Sequence, residues 1–573
     1  MKLYNSLQNI RYHIIYSFII FTINLLFSAQ PNPTYGKDGM VVSTSQDASL
    51  VGINILKKGG NAIDAAVAVG FALAVTSSGN GNIGGGGFLV ATMANGESFT
   101  IDHREVAPSQ SSRNMFLDNN NDIIPGMSLG THASSGVPGT VDGLLKAFKD
   151  YGSGNISLRE ILAPSIKLAE KGFKLSLYEA NRFNNYKENF QNNKAASKIF
   201  IRKNGKMWSE GDLFIQKDLA KTLKRILKFG REGFYSGVIA DLIVKEMKKG
   251  NGLITHQDLK RYSSKYREPI VGLYKEYKVI SMGPPSSGGI LLVNMLNMLE
   301  NFHLDTLGWN SSDYVHLLTE VERRAYADRS EHLGDPDFWN IPISMLTSKE
   351  YAKSRMKTFS KEKASLSADI SASKNIHNES IETTHYSVVD KSGNAVSVTT
   401  TINLNYGSGI VVDGAGFFLN NEMDDFSSKP GVPNVFGLIG NEANAIKANK
   451  RPLSSMTPTI ILKDDKPFMV IGSPGGSTII TTTLQNILNV IEFNMDIEEA
   501  VSSPRFHSQW LPDVIQIEPR SLPKDVLIKL KEKGHQVAPY RWGYIGEANG
   551  ILILEDGFYG GGDNRGETSA IGY

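Results

Sequence analysis

The threonines in the stretch ETTHYSVVD, residues 382–390, are the residues of this chain whose types and positions most suggest chemistry. A threonine hydroxyl is a weak nucleophile until a base takes its proton, and no serine, histidine and aspartate arrangement is recognisable nearby. If the chain were cut before Thr383, its freed α-amine, with a pKa of about 8, could serve as the base for its own hydroxyl. Two interpretations stay open here: an N-terminal nucleophile, or threonines that simply populate a strand.

The residues that follow Thr383 predict a β-hairpin that would position this hydroxyl. Two β-branched arms flank the loop Lys391-Ser392-Gly393, where glycine suits the position with positive φ. The register that this loop sets places Thr401 opposite Thr383. Thr383, Thr401 and Asn403 would then share one face, so that the second hydroxyl could orient the first. A slip of one residue would separate them, which makes the register a sharp prediction.

Periodicity predicts the elements around this hairpin. Helices are predicted within residues 39–75, broken at KKGGNAID, through most of residues 137–360, and over residues 481–492 and 523–533. Strands are predicted for the hairpin 88–93 and 98–102, and for much of 383–480 and 550–573. The polar run 360–382 has little apolar periodicity and is typical of a flexible loop.

Composition and charge narrow the classes of protein. The sequence has 60 Lys and Arg against 58 Asp and Glu, and Lys2 and Arg11 account for the excess of +2. A chain that is neutral without its first residues gives no electrostatic case for nucleic-acid binding. Residues 1–29 have the basic start and short apolar core of a secretory signal peptide, with an uncleaved membrane anchor as the alternative. The absence of cysteine excludes disulfides and thiol catalysis.

Several long motifs, in order along the chain, carry a family resemblance. They are GGNAIDAAVAVGFALAV, IDHREVAP, GPPSSGGI, ADRSEHLGDPDF, TTHYSVVD, NNEMDDFSSKPGVPN, RPLSSMTPTI and GSPGGS. In these motifs the chain closely resembles the bacterial γ-glutamyltransferases, also called γ-glutamyl transpeptidases, of the N-terminal nucleophile hydrolase superfamily. The resemblance runs from about Gly39 to Tyr573.

This resemblance implies a fold and a processing step. The implied fold is a four-layer αββα sandwich, with two stacked, mainly antiparallel sheets flanked by helices. The implied cut separates Glu382 from Thr383 and leaves a large subunit, residues 30–382, and a small subunit, residues 383–573, which together form one domain. Thr383 would attack the γ-amide of glutathione or another γ-glutamyl compound, and the ester would pass to water, an amino acid or a peptide.

The resemblance also implies roles for particular residues. It gives catalytic roles to Thr383, Thr401 and the backbone N–H groups of Gly475 and Gly476, binding of the substrate α-carboxylate to Arg104, Ser454 and Ser455, and binding of the α-amino group to Asn403, Glu422 and Asp425. Without it, Arg104 would be interpreted as a surface ion pair and GSPGGS as a turn. Glu422, Asp424 and Asp425 suggest a metal site, but no histidine lies nearby and their spacing fits no calcium loop. No metal or organic cofactor is expected.

The chain differs from the family pattern at three positions, and two alternatives to the implied function stay open. Glu422 stands where some bacterial relatives have glutamine, Asn564 where relatives often have proline, and Phe436 where several have tyrosine in the loop that covers the pocket. The missing hydroxyl at Phe436 predicts a looser lid. The alternatives are a related acylase or an enzyme that processes poly-γ-glutamate, and an exported binding protein that has kept the fold without the chemistry.

Overall fold

Two large sheets form the centre of the protein in the computed structural model, which describes residues 31–370, 383–435 and 437–573. The predicted signal segment, Glu382 and Phe436 lie outside the described residues. Sheet 1 has the strand order Ser569–Gly572, Gly39–Ser43, Thr384–Asp390, Ala395–Thr401, Gly86–Thr92, Ser98–Asp102 and Lys265–Arg267. Sheet 2 has the order Thr34–Gly36, Gly557–Gly562, Asn549–Leu554, Lys466–Ile471, Thr459–Lys463, Tyr277–Ser281 and Ile270–Tyr274.

Every neighbouring pair of strands within these two sheets is antiparallel. Alternate side chains of each strand point to opposite faces. Val42, Phe88 and Val90 of sheet 1 pack against Ile460 and Val470 of sheet 2 in one apolar cluster between the sheets. The chain therefore buries both inner faces against each other.

Helices cover both outer faces. On sheet 1 lie Gln46–Lys57, Ala62–Thr76, Thr140–Tyr151, Leu158–Lys171, Leu177–Asn185, Lys187–Gln191, Lys194–Phe200, Lys217–Phe229, Glu232–Tyr235, Gly237–Lys249 and His256–Arg261. On sheet 2 lie Gly288–Leu299, Leu304–Leu307, Ser312–His332, Ile343–Leu346, Lys349–Arg355, Thr478–Phe493, Ile497–Ser502 and Lys524–Glu532. The four layers are those of the predicted αββα sandwich, which is confirmed.

The helix Ala62–Thr76 illustrates why these segments take their positions. Asn61 and Asp64 form a reciprocal capping box at its start, which satisfies two backbone N–H groups. Every residue of the helix is buried, as expected of a segment that is apolar all round. It packs under the strand Thr384–Asp390 and so supports the hairpin.

Three predictions of elements need correction. Residues Gly39–Ser43 form a strand rather than the start of a helix, because their apolar run is buried on both faces in the middle of sheet 1. The strands Ile270–Tyr274 and Tyr277–Ser281 lie within the region predicted to be mainly helical. The described part of the polar run is held in place, since Ser367 Oγ donates to the Trp510 carbonyl and the Trp510 indole Nε1 donates to the Ser367 carbonyl.

Across the described residues, none of the helices combines the length and the apolar character that a membrane crossing requires.

Candidate active site

The hairpin has the register that its loop predicts. Thr384 pairs with Thr400 and His385 with Thr399, and Gly393 has a φ of 88°. One residue before the strand begins, Thr383 Oγ1 donates a hydrogen bond to Thr401 Oγ1 at 3.5 Å. The two hydroxyls therefore lie together on one face of sheet 1.

Backbone and amide contacts hold this pair of hydroxyls. The Asn80 side chain donates to the Thr383 carbonyl at 3.0 Å, which ties the start of the strand to the glycine-rich segment after Ala62–Thr76. The Asn403 N–H donates to Thr401 Oγ1 at 2.8 Å. Thr383 is only 5% exposed, so its hydroxyl faces an enclosed space rather than bulk water.

That space is a small cavity that is partly open to solvent. It is lined by Arg104, Thr383, Thr401, Asn403, Glu422, Asp425, Ser454, Ser455 and Gly476, and also by Arg329, Leu438, Met456 and Ile479. All the predicted binding residues line the cavity, and of the predicted catalytic residues only Gly475 lies one position outside its wall. Residues separated by hundreds of positions in the chain are thus brought together around one threonine hydroxyl.

Arg104 is the central charge of this cavity. Its guanidinium is fully buried and forms ion pairs with Glu422 through Nη1 and with Asp425 through Nη2. Arg104 lies two residues after the end of the strand Ser98–Asp102, and its N–H donates to Asp102 Oδ1 at 3.0 Å. The residues predicted to bind opposite ends of an amino acid therefore pair with one another in this structure.

Glu422 and Asp425 lie on one short turn, Glu422–Asp425. The Asn403 side chain donates to the Asn421 carbonyl at 2.9 Å and so fixes the turn against the hairpin. Burial raises the pKa of both carboxyl groups, against the opposing charge of Arg104. Both carboxylates consequently depend on a cation, which is the condition for an ammonium group to bind there.

Ser454 and Ser455 complete the wall opposite the acidic turn. Ser454 Oγ accepts a hydrogen bond from the Met456 N–H at 3.1 Å. Ser455 Oγ accepts one from Arg329 Nη2 at 3.3 Å. Each hydroxyl has one proton, and because both oxygens already accept from a group that can only donate, each O–H is available to donate to a ligand.

Gly475 and Gly476 form the turn before the helix Thr478–Phe493. Their φ angles are 137° and 54°, a backbone region that side chains disfavour. A Cβ on Gly475 would lie 2.4 Å from Thr478 Oγ1, so the turn also has no room for one. Gly476 lies on the cavity wall at the N-terminal end of this helix, where backbone N–H groups have no partner within the helix and the dipole favours negative charge.

Four cavity residues were not singled out from the sequence: Arg329, Leu438, Met456 and Ile479. Arg329 lies in the motif ADRSEHLGDPDF, and a signal was present, since an arginine on the buried side of the helix Ser312–His332 requires partners. Leu438 belongs to the predicted lid segment. Met456 and Ile479 are apolar wall residues that no pattern separates from ordinary core.

His385 has a structural position. It is fully buried between the sheets, with Nδ1 at 2.8 Å from Thr399 Oγ1 and Nε2 at 3.1 Å from Ser387 Oγ. Burial lowers its pKa to about 3. It is neutral at physiological pH and both its ring nitrogens have hydrogen-bond partners, so it packs as a residue of the strand and does not serve as the base.

Asp424 holds the lid segment instead of facing the cavity. Its Oδ1 accepts from Ser128 Oγ at 2.6 Å and its Oδ2 accepts from the Val435 N–H at 3.0 Å. The predicted looseness at Phe436 falls on a residue outside the described ones. The neighbouring backbone is nevertheless tied to the same acidic turn that binds Arg104.

One group of metal-ligand residue types, His316, Glu320 and His535, lies away from this cavity in the described part of the chain. Glu320 is paired with both Arg323 and Arg324. Two buried guanidinium groups on the only carboxylate make this position unfavourable for a divalent cation.

Glu105 gives a prediction on stability. Its carboxyl is fully buried, Arg104 Nη1 lies 3.5 Å from Oε2, and neither oxygen accepts a hydrogen bond of ordinary geometry from a described residue. Burial raises the pKa of Glu105 to about 7. A raised pKa means that unfolding releases a proton between about pH 4.5 and pH 7, so this residue lowers stability as the pH rises through that window.

Glu105→Gln removes this effect. The variant should gain on the order of 2 kcal/mol over the wild type at pH 8 and little at pH 5, where the wild-type carboxyl is protonated in the folded protein. Thermal unfolding of both proteins at the two pH values measures the difference. The surface variant Glu331→Gln controls for loss of a carboxylate, and an equal shift of Glu105→Gln at both pH values would contradict the prediction.

Comparisons with known proteins show a family to which this chain is similar. A family model described as Gamma-glutamyltranspeptidase matches residues 48–573. The chain is similar to the glutathione hydrolase proenzyme of Escherichia coli (strain K12), with 48% identity over 535 residues that cover 93% of this chain and 91% of that protein.

Two solved structures are similar to this one. A gamma-glutamyltranspeptidase of Helicobacter pylori superposes with a TM-score of 0.56 at 44% identity, over 60% of this chain and 96% of that chain. A cephalosporin acylase from Bacillus halodurans superposes with a TM-score of 0.83 at 25% identity, over 96% of this chain and 98% of that chain. The acylase superposes on nearly the whole chain and so shares its fold.

Proposed function

Because the chain belongs to the gamma-glutamyltranspeptidase family, we propose that it is a self-processing enzyme that transfers the γ-glutamyl group of glutathione and related compounds. The acceptor is water in hydrolysis, and an amino acid or peptide amine in transpeptidation. The family resemblance drawn from the motifs is confirmed. One observation carries the proposal: the Thr383 hydroxyl opens into a cavity whose buried charges, Arg104 against Glu422 and Asp425, match an amino-acid head group.

Processing frees the α-amine that serves as the base in turnover. Thr383 Oγ1 attacks the carbonyl carbon of Glu382, and the peptide C–N bond breaks as the acyl group moves from nitrogen to oxygen. Water then hydrolyses the ester, which releases the carboxylate of Glu382 and leaves the α-amine of Thr383 free. The E. coli relative is named a proenzyme, which supports a precursor that requires such a cut.

Turnover uses the same hydroxyl. The neutral α-amine takes the proton of Thr383 Oγ1 as the oxygen attacks the γ-amide carbon of the donor. Because the Thr383 proton goes to the amine in this step, Thr401 Oγ1, which accepts from the Asn403 N–H, now donates its own proton to Thr383 Oγ1 and keeps that oxygen on the cavity side. The amine then protonates the departing nitrogen, the C–N bond breaks, and a γ-glutamyl ester remains on Thr383.

The tetrahedral intermediate carries a negative charge that needs preorganised donors. The N–H groups of Gly475 and Gly476 are assigned to it, because they lie at the N-terminal end of Thr478–Phe493 and next to the cavity. Loss of one such donor commonly raises the barrier by about 3 kcal/mol. Attack of water or an amine on the ester repeats these steps in reverse.

When the donor binds, Arg104 and the two acidic residues separate and each pairs with a charged group of the substrate. The substrate α-carboxylate takes the fork of Arg104 and the O–H groups of Ser454 and Ser455. Its α-ammonium takes the oxygens of Glu422 and Asp425 that Arg104 gives up, with Asn403 beside them. The charge inside the cavity is the same before and after, so a zwitterion enters at a small electrostatic cost.

Export is part of the proposal. The layout of residues 1–29 supports a secretory signal, and a periplasmic or secreted enzyme would meet γ-glutamyl compounds outside the cytoplasm. The two fragments of the precursor, with the cut before Thr383, remain together because each sheet contains strands from both sides of the cut.

The acylase alternative has a specific observation against it. A glutaryl group lacks the α-amine, so it would leave Glu422 and Asp425 without a cation once Arg104 turns to the carboxylate. The cavity therefore favours γ-glutamyl over glutaryl donors, although the acylase of Bacillus halodurans shares the fold.

The direct test is product analysis. Purified protein incubated with glutathione should release glutamate, and addition of glycylglycine should give γ-glutamyl-glycylglycine, both identified by mass spectrometry. A glutaryl anilide should be cleaved far more slowly than the matching γ-glutamyl anilide. Equal or faster cleavage of the glutaryl compound would favour the acylase function instead.

A further inference from the structure

Arg329 reaches the cavity from the opposite layer of the protein. It lies in the last turns of the helix Ser312–His332 on the outer face of sheet 2, and it is 4% exposed. Its guanidinium lines the same cavity as Thr383 and Arg104. A buried arginine costs solvation free energy unless its donors are used, and its contacts show where they go.

The guanidinium holds the serine segment at two points. Nη2 donates to Ser455 Oγ at 3.3 Å, and Nε donates to Ser287 Oγ at 3.0 Å. Ser287 Oγ in turn donates to the Ser454 carbonyl at 2.7 Å. One side chain thus fixes both residues that are assigned to the substrate carboxylate, one directly and the other through Ser287.

The hydrogen bond from Arg329 also determines the direction in which the Ser455 hydroxyl donates. Arginine has only donors, so Ser455 Oγ must accept from it. The single proton of the hydroxyl is left to donate elsewhere, and Ser455 faces the cavity. Without Arg329, the same hydroxyl could turn its lone pair toward the cavity and would then repel a carboxylate.

The charge of Arg329 also reaches the site. Burial raises the pKa of Asp425, and the positive charges of Arg104 and Arg329 both oppose that rise. Arg104 has three carboxylates beside it, those of Glu105, Glu422 and Asp425. Because the Arg329 guanidinium balances part of this negative charge, Arg104 attracts the carboxylate of a ligand more strongly than it would by itself.

We propose that Arg329 is a positioning residue that makes the enzyme specific for donors with a free α-carboxylate, by orienting the Ser455 hydroxyl and adding a second positive charge. This inference rests on the proposed γ-glutamyl transfer. It assigns to the helix Ser312–His332 a part in substrate selection beyond packing on sheet 2.

Three anilide donors separate this role from a general structural one: γ-glutamyl, glutaryl, which lacks the α-amine, and 4-aminobutyryl, which lacks the α-carboxylate. Arg329→Gln should lower kcat/KM for the first two by about 10- to 100-fold, mainly through KM. The 4-aminobutyryl donor should change by less than about threefold, because it offers no carboxylate to the lost contacts. Arg329→Lys should restore only part of the loss, since a lysine keeps the charge but not the fork.

Controls address folding and processing. Arg355→Gln removes a guanidinium that packs against the same helix and should not change the ratio between donors. Should Arg329→Gln fail to yield processed enzyme, Ser455→Ala must show the same donor pattern, and competitive inhibition of the wild type and Ser455→Ala by glutaric acid monoamide, which has one carboxylate, and by 4-aminobutyramide, which has none, provides a second measurement.

An equal fall for all three donors in both variants would overturn the role of Arg329. Failure of the wild type to cleave γ-glutamyl anilide would instead overturn the proposed function, so the two failures are distinguishable.

Discussion

Replacement of Thr383 by alanine should leave the protein as one full-length polypeptide with no measurable turnover. In the proposed mechanism this hydroxyl attacks Glu382 in processing and the donor amide in turnover, and no other described hydroxyl lies at the same position beside Thr401. Loss of a nucleophile of this kind lowers kcat by roughly 10⁴-fold or more. Denaturing electrophoresis gives the first readout and release of aniline from a γ-glutamyl anilide the second.

Two variants make this result specific. Thr383→Ser keeps a hydroxyl and should still divide the chain, with slower kinetics because serine has more rotamer freedom than the branched threonine. Thr384→Ala removes the neighbouring hydroxyl, which is bonded to Thr44 Oγ1 at 2.8 Å on the other face of the strand, and it should divide normally. Two fragments from Thr383→Ala, cut before residue 383, would contradict the processing mechanism.

The pH dependence of turnover follows from the same assignment. Only the neutral α-amine of Thr383 can take a proton, so kcat should fall as the pH drops below its pKa of about 8. His385 contributes nothing to that fall, because burial lowers its pKa to about 3. A variant such as His385→Gln, if it folds, should keep the position of the acid limb.

The local parts of this site were predictable from the sequence. A three-residue loop ending in Gly393 determines the register of its hairpin, and the pairing of Thr384 with Thr400 follows from it by counting. The strongly periodic segments 481–492 and 523–533 are helices in the structure, as predicted. Short-range rules suffice where turn geometry or a single amphipathic face decides the conformation.

Long-range contacts were not predictable in the same way. The strand Gly39–Ser43 was predicted as the start of a helix because a helix follows it in the chain, although its two valines favour the extended form that it takes between two other strands of sheet 1. The role of Arg329 depends on a helix and a serine segment more than a hundred positions apart in the chain. No spacing within either segment reveals that contact, whereas the burial of an arginine on the helix could have indicated an unidentified partner.

Pairing of Arg104 with Glu422 and Asp425 changes how the head-group site works. The resemblance implies that Arg104 binds the α-carboxylate of the substrate, whereas Glu422 and Asp425 bind its α-amino group. In the structure they pair with each other, so each of these buried charges has an opposite charge beside it. A ligand that carries both charges can replace both halves of this pairing.

Arg104→Lys should consequently raise KM for γ-glutamyl donors by roughly 100- to 1000-fold while kcat falls much less. Lysine keeps the charge but has no planar fork, so its ammonium cannot bond Glu422 and Asp425 from two nitrogens or grip both carboxylate oxygens of the substrate. The loss equals two charge-assisted hydrogen bonds at about 1.5–3 kcal/mol each, partly recovered by the remaining charge. Steady-state kinetics with the γ-glutamyl anilide measure the two constants separately.

Arg113→Lys is the matched control, because Arg113 lies near the same acidic turn and bonds the Ser428 carbonyl and Glu442 at the partly exposed edge. Its kinetic constants should change by less than about threefold, as expected for an exposed pair. If Arg104→Lys lowered kcat and left KM unchanged, the arginine would be acting on the transition state rather than on the head group. Separation of Arg104 from Glu422 and Asp425 would then not be the step by which the substrate binds.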